Sequence, residues 1–330
     1  MSEKKKFVIY NPLSLHYYSD YGIGIPMLNE RVEKPFAHIQ DKFQIEATEE
    51  KLFSRYGKEI LPLAHDPDYC ERVEKHPEQV VMDTYELVKK DGSYNRYEPS
   101  QAIKPLGDFI QKALGHVNGT ILACENALEN GFCYHLGGGM HHAMSFKPGG
   151  FCMFNDMVLA IRLLQREGKI KRAVIIDMDA HKGDGTAQIV AGDSTIRAFS
   201  IHMKEGWPLD NEDHSDPSFT PSDRDVGVLR EDNYLEIFAR EIHDFNPCED
   251  LAIVVHGADV YEKDELESAN LIQLSKEEVL KRDQFIYHYL KERNIPQAWV
   301  MAGGYGRYVH EVFTQFLDYA LEKEVPSTRD

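Results

Sequence analysis

Hydrophobic positions along the chain fall into two alternating kinds of run. Short, largely apolar blocks at 6–10, 173–177, 195–202, 251–256 and 298–302 read as strands buried in a sheet. Between them, apolar residues recur every three or four positions over 119–130, 157–168, 232–245, 276–292 and 309–324, which predicts amphipathic helices, most of them closed by Gly, Asn or Pro. Alternation of strand and helix predicts an α/β fold: an open, mostly parallel sheet with helices on both faces. No repeat, low-complexity tract or Pro/Gly/Ser-rich linker divides the chain, so a single domain is expected over 1–330. Two polar stretches, 86–105 and 204–225, read as long surface loops, and loops of that length tend to rim a site.

Composition narrows the function classes. A chain of 330 residues is long for one domain but within reach of a single α/β sheet. Its formal charge of −18 opposes binding to nucleic acid or an anionic membrane and suits cationic ligands such as lysine side chains or polyamines. The apolar runs are shorter than a membrane span, and MSEKKKFVIYNPLSL carries too few apolar residues before Asn11 and Pro12 for a signal peptide, so a cytoplasmic location is expected. Five cysteines (Cys70, Cys124, Cys133, Cys152, Cys248) include no close CxxC pair, which argues for reduced thiols and against a cysteine metal site.

Four polar clusters stand directly after apolar blocks. Asp177-Met178-Asp179-Ala180-His181 closes the block AVII. Residues two apart share a strand face, so both carboxylates and the imidazole can point together at the edge where parallel sheets bind ligands. Such oxygen and nitrogen donors suit Zn²⁺ or another divalent ion, with capping of a helix as the lesser alternative for the carboxylates. Gly137-Gly138-Gly139-Met140-His141-His142 pairs a flexible turn with two imidazoles. They offer one group for proton transfer and one for electrostatic support, or are two ordinary hydrogen-bonded histidines. His256-Gly257-Ala258-Asp259 supplies an aspartate able to complete a trio with Asp179 and His181, or an N-cap. Ala302-Gly303-Gly304-Tyr305 brings a neutral phenol donor that can polarise a carbonyl, or an amphipathic rim residue.

In type and order, GGGMHHAMSFKPGGFCMFND, IIDMDAHKGDGTA, HGAD and AGGY resemble the histone deacetylase family, with looser similarity at YNPLSLHYY and AHDPDYCERV. The resemblance implies an arginase/deacetylase fold with an eight-stranded sheet. It implies Zn²⁺, with Fe²⁺ as the alternative, held by Asp179, His181 and Asp259. It makes His142 the proton shuttle and His141 its electrostatic partner, with Asp177 and Asp184 as their respective supporting acids, and Tyr305 the carbonyl-polarising phenol. Phe151 and Trp207 match tunnel walls, Gly150 and Gly303 further substrate contacts, and Glu98 the rim acid that holds the substrate backbone. Asp177, Ser200 and Ile201 match part of a structural K⁺ site. Lys182 stands where the commonest pattern has a second histidine, and Glu98 replaces the usual aspartate. The DMDAHKGDG form is closest to the class IV branch and its bacterial relatives, part of which favours long acyl chains.

The implied reaction is hydrolysis of an acyl-lysine-like amide, acetyl or longer, by metal-activated water with His142 as base and then acid. An acetylpolyamine or other small-amide deacylase is the nearest alternative, and a non-catalytic acyl-lysine-binding module a more distant one. A binuclear ureohydrolase of the arginase kind needs a further carboxylate two residues after the metal histidine, where this chain has Gly183.

Overall fold

The computed structural model describes residues 6–325. In chain order its regular elements are β1 (Val8–Ile9), α1 (Glu30–Phe43), α2 (Pro67–Lys75), α3 (Pro77–Thr84), α4 (Phe109–Asn130), β2 (Phe132–His135), α5 (Asp156–Arg166), β3 (Ala173–Asp177), α6 (Asp184–Val190), β4 (Ile196–Met203), β5 (Arg224–Val228), α7 (Tyr234–Phe245), β6 (Leu251–Val255), α8 (Lys276–Glu292), β7 (Gln297–Val300) and α9 (His310–Glu324), with short 3₁₀ turns between them. The strands form one open sheet in the order β1-β2-β7-β6-β3-β4-β5, every neighbouring pair parallel. Seven strands are present among the described residues where eight were expected.

Successive residues of each central strand feed opposite cores. Ile175, Ile253 and Val300 face a layer built from α4, α5 and the α2–α3 region, while Val174, Ile176, Val254 and Trp299 face α1, α7, α8 and α9. Both layers are apolar and buried, which is why these strands read as unbroken apolar runs rather than alternating ones. Helices lie on both faces, as the pattern required. The last residues assigned to the 204–225 loop belong to β5, and α4 begins ten residues before the predicted start at 119. Among the described residues, no helix is long and apolar enough to cross a membrane.

Strand order fixes where a site can form. From β3 the chain runs outward to β4 and β5, then returns to lay β6 and β7 on the other side of β3. The crevice at the carboxyl ends of β3 and β6 is therefore a topological switch point, the place where open parallel sheets accept ligands. The four clusters follow β2, β7, β6 and β3, which are consecutive neighbours in the sheet.

Candidate active site

The β3 ladder stops at Asp177, so the strand alternation that would have put Asp177, Asp179 and His181 on one face does not extend past it. The chain turns, and Asp179 and His181 meet Asp259 from the loop after β6. One ligand atom from each lies within 4.8 Å of the other two, and all three residues are buried. His181 Nδ1 stands 3.1 Å from Asp259 Oδ2 and 3.3 Å from Asp179 Oδ1. Donors about 2.1 Å from a tetrahedral zinc would sit roughly 3.4 Å apart, so the trio fits such an ion with little movement. The outer oxygens are already engaged: Asp259 Oδ1 accepts Ala180 N–H at 2.9 Å and Asp179 Oδ2 accepts Gly303 N–H at 2.8 Å. Gly303 has to be glycine, because a Cβ there would press on both carboxylates.

Charge in the trio is lopsided. Burial works against a protonated imidazole, yet the two carboxylates outweigh it and hold the His181 pKa up at about 10. Burial and then the charge of Asp179 push Asp259 up to about 6. Two buried carboxylates thus compete for the positive charge of one ring, a donor set suited to a divalent cation.

The His pair flanks this trio. His141 Nδ1 lies 2.7 Å from Asp177 Oδ2 and His142 Nδ1 lies 2.6 Å from Asp184 Oδ1, with the two rings 3.9 Å apart. The pairing is the reverse of the one the resemblance implied, which gave Asp177 to His142 and Asp184 to His141. His141 is the inner ring, 3.7 Å from Asp179, and meets the last residue of β3, whereas His142 lies against Trp207 and meets the first residue of α6. The carboxylates accept, so each Nδ1 carries a proton and each Nε2 is left for the site. Burial opposes the charged form of both rings. At His141 the carboxylates of Asp177 and Asp179 prevail and raise its pKa to about 9. At His142 burial and the charge of His141 prevail over Asp184 and lower it to about 4. Adjacent groups driven apart in this way are fitted to separate acid–base roles.

Loop geometry sets both rings. Asp156, fully buried at the start of α5, accepts Gly139 N–H at 3.0 Å, Met140 N–H at 2.7 Å and the Thr120 hydroxyl at 2.5 Å. Gly139 has φ +81° and lies so close to the β7 loop that a Cβ would meet Ala302 N at 2.7 Å. Across the crevice, Tyr305 N–H donates to Asp264 Oδ2 at 2.7 Å, and its ring packs edge-on to Phe151 at 6.0 Å. Burial, then the charges of Asp179 and Asp259, push the phenol pKa well above 10, so it keeps its proton.

A cavity of about 120 Å³ joins these groups; Asp179, His181, His141, His142, Tyr305, Gly150, Phe151 and Gly303 line it, and it runs inward to Arg31, Tyr18 and His16. Trp207 stands over the His142 and His181 rings at 4.5 and 5.6 Å. Glu98 is not brought to the cavity lining. Its side chain is exposed and accepts a hydrogen bond from Gln101 Nε2. Ser200 pairs with Asp177 across β3 and β4, next to Ile201, and its hydroxyl lies 3.5 Å from Gly183 N. Lys182 is buried and donates to Asp225 Oδ2 on β5 at 2.9 Å.

Residues 25–320 match the histone deacetylase domain. The chain belongs to the histone deacetylase family. It is 32% identical over 208 residues to an uncharacterized protein of Picosynechococcus sp., covering 62% of this chain and 66% of that one. It is 29% identical over 218 residues to histone deacetylase 2 of Arabidopsis thaliana (64% and 54% covered), and 26% identical over 265 residues to the acetoin utilization protein AcuC of Staphylococcus aureus (74% and 63%). The matched segments span less than two thirds of each of these relatives' own length. The seven-stranded parallel sheet with helices around it is consistent with the arginase/deacetylase fold.

Sequence reasoning about this deacetylase-family chain overlooked the residues that hold the motifs in place. Asp156 follows Asn155, whose side chain caps α5 at Val158 N, and a polar pair opening an apolar helix was the available signal. Asp264 sits in a loop with no periodicity to mark it. Arg282 and Asp283 were legible: they occupy the buried stripe of α8 with Val279, Ile286, Tyr287 and Leu290.

Proposed function

We propose that the chain is a zinc-dependent deacylase that hydrolyses the amide of an acyl-lysine or a similar acylated amine. The observation that carries this reading is His142, hydrogen-bonded to Asp184, beside a buried Asp179-His181-Asp259 trio and facing a cavity that Tyr305 also lines. Zinc held by the trio would polarise the amide carbonyl and lower the pKa of a water toward about 7.

The remaining work falls to side chains. His142 Nε2 accepts the proton of the attacking water while Asp184 steadies the imidazolium through Nδ1. The same ring then returns the proton to the leaving amine. His141, held cationic by Asp177, sets a positive charge beside the developing oxyanion, and the Tyr305 hydroxyl donates to that oxygen. Phe151 and Gly150 line the slot for an aliphatic stem, and Trp207, packed on His142 at its outer side, keeps water from the reacting bond. The inward reach of the cavity supports acyl groups longer than acetyl. Outside Trp207 and His142, a depression is lined by Asp83, Glu86, Asp210 and Asp216 together with Lys90 and Lys147. K⁺ at Asp177, Ser200 and Ile201 belongs to the same reading, as does a cytoplasmic location, which the five unbridged cysteines support.

The test is a panel of lysine peptides and polyamines carrying acyl groups from two carbons upward, assayed on zinc-reconstituted protein with and without chelator. Chelator-sensitive release of free acid supports the reading. Peptides against polyamines decide the substrate class, and no turnover on any member would refute it.

A further inference from the structure

Helix α8 buries two charges where its pattern calls for apolar residues. Val279, Ile286, Tyr287 and Leu290 form its core-facing stripe, and Arg282 and Asp283 occupy the same stripe, each 0% exposed. A buried ion pair is a weak source of stability, because desolvating both ions roughly cancels their attraction and an apolar pair of similar volume does as well or better. The bonds of the guanidinium point elsewhere. Arg282 Nε donates to Asp283 Oδ1 at 2.9 Å, Nη1 to the carbonyl of Met178 at 2.9 Å and Nη2 to the carbonyl of Gly257 at 3.1 Å. Met178 immediately precedes Asp179, and Gly257 stands two residues before Asp259. One planar group therefore spans the crevice between β3 and β6 from below, on the two loops that carry the whole trio. Asp283 in turn reaches His256 Nε2 at 2.8 Å, and His256 Nδ1 meets the Tyr134 hydroxyl at 2.9 Å, which ties the clamp to β2.

We propose that Arg282 is a positioning residue for the metal centre, a clamp on the Met178 and Gly257 carbonyls that fixes the separation of Asp179 from Asp259. The inference rests on the reading of that trio as a zinc site. A fork of rigid, coplanar donors fixes the spacing of the two carbonyls it holds, whereas a lysine ammonium reaches carbonyls through rotatable donors on a flexible stem and an apolar side chain holds neither. Without it the two loops remain joined chiefly by single bonds such as Met178 N–H to the Val255 carbonyl and Ala180 N–H to Asp259. Asp179 and Asp259 then have to be drawn together by the ion itself, and affinity falls.

Zinc affinity is measured by competition with a chromophoric chelator, and the melting temperature of the metal-free protein is measured alongside it. Arg282→Lys keeps the cation next to Asp283 but loses the fork, and Arg282→Gln keeps one donor without the charge. Both are expected to lower zinc affinity by about 10- to 100-fold, the usual effect of removing a group that orients metal ligands. Asp283→Asn is the control: it weakens the buried pair and lowers the melting temperature at least as much, while Arg282 keeps both carbonyls and zinc affinity stays within about threefold of wild type. Wild-type affinity in either folded Arg282 variant overturns the inference, as does a loss in Asp283→Asn equal to that in Arg282→Lys. Failure of the wild-type protein to bind zinc is a different result; it removes the metal reading and the inference with it.

Discussion

Zinc uptake should expel protons from the site, and the number is set by the trio itself. In the metal-free protein His181 carries a proton at neutral pH because Asp179 and Asp259 hold its pKa at about 10 against burial. A metal needs the lone pair that this proton occupies. At pH 8 removing it costs two units of 1.36 kcal/mol, about 3 kcal/mol or a hundredfold in apparent affinity. His141 keeps its bond to Asp177 and with it its own proton, so release is close to one proton. The sign is fixed: apparent affinity rises with pH up to about 10. It falls more steeply below pH 6, where Asp259, lifted to about 6, takes up a further proton that must also leave. Titration calorimetry at pH 8 in two buffers of different ionisation enthalpy counts the protons directly. Equal heats in both buffers would mean no release and would refute the charge assignment of the trio.

Tyr305→Phe keeps the ring against Phe151 and the backbone bond to Asp264, so metal content and Tm should hold while kcat falls by about 10²- to 10³-fold. Near-wild-type kcat would take the phenol out of the reaction. Asp225, drawn down to about 2 against burial by His202 and Lys182, contributes stability that is complete above its ordinary 3.8 and is lost as pH falls through 2. Asp225→Asn should therefore lose about 2 kcal/mol at pH 7 and show a flatter acid decline between pH 4 and 2, measured as urea midpoints at both ends. A wild-type midpoint at pH 7 would show that Lys182 needs no such partner.

The five apolar blocks gave strands, and α8 fell at 276–292 as its pattern predicted, because doubly covered strands and capped amphipathic helices leave strong local signals. Helices α1 to α3 were not read: α1 and α2 are rich in charge, Pro35 lies inside α1 and α3 is only eight residues long, although Pro67 and Pro77 at the first positions of α2 and α3 were usable start signals. The motif residues were legible because each cluster directly follows an apolar block. Their partners were less so. Which aspartate meets which histidine depends on how far each loop climbs from the sheet, and the assignment of Asp177 and Asp184 that the resemblance implied came out crossed. Glu98 was placed by likeness alone, and its backbone pairing to Gly22 leaves the side chain on the surface.

The order of the sheet has a consequence for how the chain is made. Strands β6 and β7 emerge last but must lie between β3 and β2, which emerge first. Until then the growing chain carries two separate half-sheets, β1-β2 and β3-β4-β5, each with an open inner edge of unpaired amides and bare apolar faces. Such edges recruit other strands, and pairings this distant in sequence form slowly. A ribosome halted before residue 297 would hold a chain in which β6 can pair with β3 but β7 is not yet there to link it to β2, so the sheet stays open beneath the His141 and Asp179 loops. The late strands act as a keystone, and the nascent chain is exposed to aggregation until they are in place.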